Sequence, residues 1–431
     1  MQGTILWTVS LWLGLVGAIP IVLKLKSVHD FDPRYPEEVP GMFQGDIDLE
    51  GRNIFSRNAI GSAKKKWPSR TIPFKIHSYF SKYDKEEFVA AMNHIEQMSS
   101  LNGKNCITFV NWTNEDAYMF FATGKGCHSP VGFKDKSQGV SLGFGCRDMG
   151  TVVHETLHNL GFYHEQSRPD RDSYIKLNMT NVQKGHEKNF LKMYPPLIDT
   201  QNLPYDYHSI MHYGPYAFAI DRAIPTIIPL KKNAVIGQRS GMSQLDIIQL
   251  QRLYKCPERE YVHIQDAHIV SPNCTFDGGF CGWQNVSMDP SIKNNTWLRQ
   301  NADTLSLRTG PLMDHTIGAV DGYYLYTEAS SNAHAVAKIR TPKVTPGKHC
   351  LQFWYHMYGK DMGTLKVNIV TDGQKTVNIV DISGNKGNVW LQSKTAFTAT
   401  ENTQVEFESI TGDLYRSDMA IDDVIVQDGT C

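Results

Sequence analysis

Hydrophobic and polar positions follow two different rhythms along the chain, with a charged stretch between them. In residues 85–98, Phe88, Met92 and Ile95 recur at helical spacing, which predicts an amphipathic helix. Residues 71–76 read as a strand, and 107–110 and 117–121 as two more. Residues 149–160 are apolar and helix-competent, and Gly161 stands where such a helix would end. From Cys274 onward, short β-rich runs at 365–370, 376–382 and 405–410 alternate with Gly, Asn and Asp turns, the pattern of an all-β sandwich. Residues 257–273 are charged and read as a linker. Residues 24–57 are polar and broken by Pro33, Pro36, Pro40, Gly41 and Gly45, so they read as extended, with little packing of their own. No short-period repeat is visible.

The most apolar run, 5–19, is too short for a comfortable membrane span and ends in Val16-Gly17-Ala18, small residues that suit cleavage after Ala18. Residues 1–18 therefore read as a secretory signal peptide, although no Lys or Arg precedes the run. The other reading is a buried or anchoring N-terminal helix. No later stretch reaches the roughly 18 uninterrupted apolar residues of a span, so a soluble, secreted, extracellular product is expected. At about 150 residues per domain, 431 residues suggest roughly three units, or two plus processed segments. A composition of 41% hydrophobic and 20% charged residues excludes wholesale disorder. The formal charge of −1 argues against nucleic-acid partners and against attachment to membranes by bulk charge. In an exported chain the eight cysteines default to disulfides, and none forms the C-x-x-C pair of a cysteine-ligated zinc. Sequons at Asn111, Asn178, Asn273, Asn285 and Asn294 fit a glycoprotein.

The chemistry concentrates in His154-Glu-Thr-Leu-His-Asn-Leu-Gly-Phe-Tyr-His-Glu165. On a helix, His154 and His158 project from one face and can share a metal, while Glu155 beside them can reach a metal-activated water without being a ligand. A positive φ at Gly161 would turn the chain and bring round His164 as a third nitrogen. Three neutral imidazoles leave zinc an open position, as catalysis requires. From the composition, the five-residue pattern is expected by chance roughly 2 × 10⁻⁴ times in the chain. Closed structural zinc sites favour four side-chain ligands, so a purely structural metal fits less well.

Further on, Ser209-Ile-Met-His-Tyr213 supplies a Met-containing turn, and Gly161 to Asp172 continues well past the histidines. With these motifs, residues 58–256 resemble an astacin-family zinc endopeptidase, a branch of the metzincins. The resemblance implies an α+β catalytic domain with a twisted sheet, long helices and an active-site helix. It implies Met211 as an apolar floor beneath the metal, and Tyr213 as an additional ligand that swings out to stabilise the reacting oxyanion. Without it, Met211 would be ordinary core and Tyr213 a half-buried aromatic. The implied reaction is hydrolysis of internal peptide bonds, with Glu155 as proton carrier.

Phe43-Gln44-Gly45-Asp46 resembles the family's inhibitory motif, in which the Asp carboxylate takes the zinc's water position. Read alone, Gly45-Asp46 is also a simple turn. Residues 19–57 then form a propeptide, cut by a trypsin-like activator near Arg57-Asn58, with Arg52 as a neighbouring candidate. In the family the freed amino terminus, here Asn58, turns inward toward the Glu after the third His, here Glu165; read alone, Glu165 is a solvated charge at a helix end. The resemblance pairs Cys106 with Cys256 and Cys127 with Cys146. Residues 133–137 depart from the family's glycine-rich middle, which bears on cleft shape. Gly237-Gln238-Arg239 resembles an S1′-lining segment, so Arg239 would favour an acidic residue after the scissile bond, or is an ordinary surface Arg.

Cys274-Thr-Phe-Asp-Gly-Gly-Phe-Cys-Gly-Trp-Gln284 and the ending Ala420 to Cys431 resemble the two ends of a MAM domain over 274–431. This implies Cys274–Cys281 and Cys350–Cys431 pairing, and a role in adhesion, homodimerisation or substrate positioning. Trp354, Tyr355 and Tyr358 read as core before contact surface. Asp277, Asp422 and Asp423 are candidates for calcium, against the plainer reading of exposed turn carboxylates. The expectation is a multidomain zymogen, with a metzincin domain before an all-β sandwich. The alternative is an adhesion protein with a vestigial protease domain, which the intact Glu155 and full ligand set disfavour.

Overall fold

A computed structural model describes residues 36–38, 41–49, 66–194, 198–259, 261, 270–286, 296–304, 306, 309–330, 333–372 and 376–431. The expected signal peptide at 1–18, most of the expected propeptide at 19–57, Arg52, the Arg57-Asn58 bond, the Asn294 sequon and most of the stretch 257–273 read as a linker lie outside these residues.

The first half is built on a five-stranded sheet. Its strands are β1 (Thr71–Ile76), β2 (Thr108–Asn111), β3 (Met119–Ala122), β4 (Cys127–His128) and β5 (Gln138–Leu142), in the order β2-β1-β3-β5-β4. All pairings are parallel except that of β4, which runs antiparallel to β5 at one edge. Helix α1 (Lys82–Ser99) begins three residues before its apolar stripe predicts, because Ser81 and Asp84 form a reciprocal capping box. Helix α2 (Met149–Leu160) has the expected bounds; Asp148 caps it, accepting from Thr151 N, and Gly161 ends it at φ 121°. Phe88, Met92 and Ile95 of α1 join Ile72 and Phe121 of the sheet and Val152, Val153 and Leu157 of α2 in one buried cluster. Beyond Gly161 regular structure is sparse: a β6 (Ile175–Leu177)–β7 (Ile227–Pro229) pair and helix α3 (Gln244–Leu253). A smaller cluster of Phe190, Tyr205, Tyr213, Phe218 and Ile227 fills this lower part. The histidines lie between the two clusters.

The second half is the expected sandwich, of two antiparallel five-stranded sheets. One contains β9 (Leu298–Gln300), β10 (Tyr324–Thr327), β12 (Gly347–Met357), β15 (Leu391–Ala399) and β17 (Met419–Asp428). The other contains β8 (Gln284–Asn285), β11 (Val336–Arg340), β13 (Thr364–Thr371), β14 (Val377–Ser383) and β16 (Thr403–Ile410). Leu351, Phe353, Leu365, Val367, Phe407 and Ile421 interdigitate between them. Trp354 is half-buried and stacks on His315 with ring centroids 3.7 Å apart. Tyr355 is half-buried against the same core, and Tyr358 is half-buried as well.

All four disulfides expected from the resemblance are present: Cys106–Cys256, Cys127–Cys146, Cys274–Cys281 and Cys350–Cys431. The described ends of residues 257–273, which read as a linker, pack against both halves. Arg259 donates to Ser100 O and Gly318 O, both at 3.3 Å, and Ala302, Met313, Ile317, Ala319 and Val320 of the second half join the cluster around Phe88 and Leu157. Asp277, Asp422 and Asp423, candidates for calcium, are not exposed turn carboxylates. Asp422 is buried on β17 and accepts from His315 N, Asp423 is held by His315 Nδ1, and Asp277 accepts from Tyr323 N. Their oxygens already serve to hold loops in place. Among the described residues no helix is long and apolar enough to cross a membrane.

Candidate active site

Every residue of α2 after Met149 is buried, so its polar side chains must find partners inside the protein. His154 Nδ1 lies 2.8 Å from Ile210 O, and His158 Nδ1 lies 2.8 Å from Phe162 O. His164, carried round by Gly161, places Nδ1 3.0 Å from Gln44 Oε1. Each of these partners can only accept, so Nδ1 carries the proton in all three rings and Nε2 presents a lone pair.

The three Nε2 atoms meet at the Asp46 carboxylate, and these four side chains are the one group of metal-binding geometry among the described residues. Separations from Nε2 to the nearer carboxylate oxygen are 3.2 Å for His154, 3.2 Å for His164 and 3.6 Å for His158. A tetrahedral ion with ligands about 2.0–2.1 Å away would space neighbouring ligand atoms about 3.3 Å apart, so the donor set fits zinc. Electrostatics agree. Burial acts to raise the Asp46 carboxyl, but its interactions with His164, His154 and His158 more than offset it and hold the acid well below the usual range. Burial meanwhile pushes His154 down to about 3 and His164 down to about 4, so these two rings are uncharged at neutral pH. An anion ringed by lone pairs in a dry site requires a cation, and a divalent metal supplies it.

Glu155 points into the same space, fully buried, with neither oxygen hydrogen-bonded. Burial raises its carboxyl well above the usual range, and the charges of Asp46 and Glu37 add to this. Met211 is buried in the Met-turn, whose shape comes from α3: Asp246 accepts from Ser209 Oγ at 2.6 Å and from Ile210 N at 2.9 Å. Tyr213 donates its hydroxyl to Gln44 O, and burial raises its phenol well above the ordinary value, so the proton stays on oxygen.

Residues 43–48 lie in the cleft beside strand β4. Ile47 bridges Ser129 in parallel, with Ser129 N to Asp46 O at 2.9 Å and Asp48 N to Ser129 O at 3.0 Å. Gly45 has φ 83°, and a Cβ there would sit 2.9 Å from Cζ of Phe218 and 3.0 Å from Glu37 O, so only glycine lets Asp46 reach the histidines. Arg239 is not a free surface residue: its Nε donates to Glu37 Oε1 at 3.0 Å and its Nη1 to Ile210 O at 2.9 Å. Glu165 is not solvated either. Its Oε1 accepts from Arg168 Nη1 at 3.0 Å and from Asp206 N at 2.8 Å, and burial, opposed by Arg168, pushes its carboxyl up to about 7.

Glu37 and Glu38 take part in the site without any signal in the one-dimensional pattern, while Gln44 and Arg168 lie inside motifs that gave them no role of their own. Of the sequons, Asn111 and Asn273 are exposed and Asn178 is half-buried, while Asn285 exchanges two hydrogen bonds with the Trp297 backbone.

Comparison with known proteins agrees with this geometry. The Astacin peptidase family matches residues 59–255, and the MAM domain, meprin/A5/mu, matches 274–431. Meprin A subunit alpha of Rattus norvegicus is 30% identical over 408 residues, covering 90% of this chain and 50% of that protein. Zinc metalloproteinase nas-4 of Caenorhabditis elegans is 38% identical over 224 residues, covering 50% of this chain and 69% of that protein. Among solved structures, high choriolytic enzyme 1, a hatching enzyme zinc-protease from Oryzias latipes, is 40% identical, covers 45% of this chain and 94% of that one, and has a TM-score of 0.41. The chain spans about half the length of the first curated relatives it matches.

Proposed function

Since this chain belongs to the astacin family of peptidases and carries a MAM domain behind the catalytic one, we propose that it is a secreted zinc endopeptidase made as a zymogen. The observation that carries this reading is the convergence of three Nε2 lone pairs on one carboxylate, with an unpartnered glutamate alongside. In this reading His154, His158 and His164 hold zinc, and Asp46 fills the remaining position until the segment is removed. When bound, zinc supplies a Lewis acid that acidifies water and polarises the scissile carbonyl.

Glu155 takes the proton of the attacking water and passes it to the leaving amine as the C–N bond breaks. Its unmet hydrogen-bonding capacity and raised carboxyl suit it to hold that proton briefly. Tyr213 keeps its hydroxyl proton, and once Gln44 withdraws it can donate to the oxygen on which charge develops. Activation by a trypsin-like protease near Arg57-Asn58 would free an amino terminus for Glu165, and a cavity of about 570 Å³ lined in part by Glu165, Arg168 and Lys66 supports that destination. Four disulfides support an exported product. Arg239, which holds Glu37 in the zymogen, is read as the receptor for an acidic residue after the scissile bond.

Casein hydrolysis after limited trypsin treatment tests the proposal. The wild type should cleave and a zinc chelator should stop it. Glu155→Gln should retain zinc by elemental analysis yet lose on the order of 10²–10⁴ in turnover. Full activity in that variant, or no zinc in the wild type, would overturn the assignment.

A further inference from the structure

The inhibitory segment sits in the cleft as an intramolecular ligand, and its side chains report what the cleft walls accept. Two consecutive carboxylates, Glu37 and Glu38, each meet a different arginine. Glu37 goes to Arg239, directly behind the Met-turn. Glu38 goes to Arg222 in a two-pronged pair, with Nη1 to Oε1 at 3.0 Å and Nη2 to Oε2 at 2.6 Å. Oε1 also accepts from Phe218 N at 2.7 Å. Side-chain exposure is 28% for Arg222 and 15% for Glu38, so the pair is largely shielded from water. Only about 40 Å³ remains unfilled in the space bounded by Glu37, Glu38, Gln44, Gly45 and the wall.

The receiving loop is built independently of that segment. Arg222 Nη1 is also anchored on Tyr216 O. Buried Asn181 holds the loop from behind: its Nδ2 donates to Asp221 O at 2.9 Å and to Ile224 O at 2.6 Å, and its Oδ1 accepts from Asp221 N at 3.0 Å. Ile220 N donates to Asn181 O at 2.7 Å. These bonds do not involve the inhibitory segment, so its departure leaves a pre-shaped donor fork and a backbone N–H aimed at one place. A planar guanidinium presented this way selects carboxylates over amides or cations.

We propose that Arg222, with Phe218 N, forms a second acid-accepting subsite of the cleft, so that the processed chain favours protein segments with an acidic residue beyond the one received by Arg239. The inference rests on the endopeptidase reading, and it adds a position that Arg239 does not cover.

The test uses the full processed chain and peptides with Glu fixed for Arg239. Glu is then compared with Gln at each further position on the same side of the scissile bond. One such position should favour Glu by roughly tenfold in kcat/KM. Arg222→Gln should abolish that preference by lowering kcat/KM for the Glu peptide to about that of its Gln counterpart, and Arg222→Glu should shift it toward Lys. An undiminished preference in Arg222→Gln, or an equal loss on every peptide, overturns the proposal. A second arm needs no catalysis: binding of a synthetic peptide of residues 36–49 to the processed chain. The Glu38→Gln peptide should bind roughly tenfold more weakly. Equal binding rejects the subsite whether or not the chain cleaves anything. Absence of all cleavage together with the expected binding difference rejects only the endopeptidase reading.

Discussion

His208 donates from Nδ1 to Asp321 Oδ1 at 2.7 Å, across the junction between the catalytic half and the sandwich. The other oxygen of Asp321 accepts at 2.7 Å from Gln244 N, the first residue of α3. Two residues on, Asp246 of the same helix holds Ser209 and Ile210, which open the Met-turn. One carboxylate of the sandwich is thus two hydrogen-bonded steps from the floor of the metal site. Asp321→Ala is expected to cost about 1–3 kcal/mol, seen calorimetrically as a lower midpoint or as separate unfolding of the two halves. An unchanged single transition would show that the apolar contacts alone join them.

Asp46 closes the site, so Asp46→Ala should leave an unprocessed chain that leaks. Peptide hydrolysis measured with trypsin-like proteases inhibited should rise at least on the order of tenfold over the unprocessed wild type, and chelation should remove it. A variant as silent as the wild type would show that the segment blocks by covering the cleft and not by ligation.

A Cβ on Gly150 would collide with the carbonyl oxygen of Arg239, a backbone atom that cannot rotate away. Gly150→Ala must therefore push apart the helix that carries His154 and the loop that carries Arg239. We expect a loss of about 1–3 kcal/mol, with weakened zinc retention. Gly139→Ala, where nothing lies within 4 Å, is the control and should stay within about 0.5 kcal/mol. Denaturant midpoints and metal content decide between these outcomes.

His94 lies at the same junction, where its Nε2 accepts from Met242 N at 3.2 Å, and burial pushes it down to about 4. Above about pH 6.5 the ring is neutral folded and unfolded, so it contributes no pH dependence. Between 6.5 and about 4 the unfolded chain binds a proton that the folded chain refuses, so stability falls as pH falls through this window, by about 3 kcal/mol in all. His94→Gln should flatten the difference in denaturant midpoint between pH 7.5 and 4.5. Asp314, which burial pushes up to about 7, slopes the other way, so the comparison of variant with wild type isolates His94. An identical pH slope in the two proteins would count against this account.

The parts of the site legible along the chain share one property: they are local. The spacing of His154 and His158 specifies one helical face, Gly161 the turn, and β-rich runs between turn residues the sandwich, because helix period, glycine backbone freedom and strand pattern all act within about ten residues. The three histidines that converge on Asp46 were therefore readable before any fold was known. Arg168 under Glu165, Gln44 on His164, and Glu38 on Arg222 were not, since each pair joins residues through packing that no periodicity encodes.

The same division explains the linker. A charged stretch between two compositions reads as a spacer, yet Met313, Ile317 and Val320 return from an irregular loop to the first domain's core. Local pattern determined what the metal site is made of and that two unlike modules follow one another. Tertiary structure alone decided that the modules pack as one body, that Asp46 reaches the histidines, and which arginine meets which glutamate. Burial and charge pairing between distant segments are settled by the free energy of the folded whole.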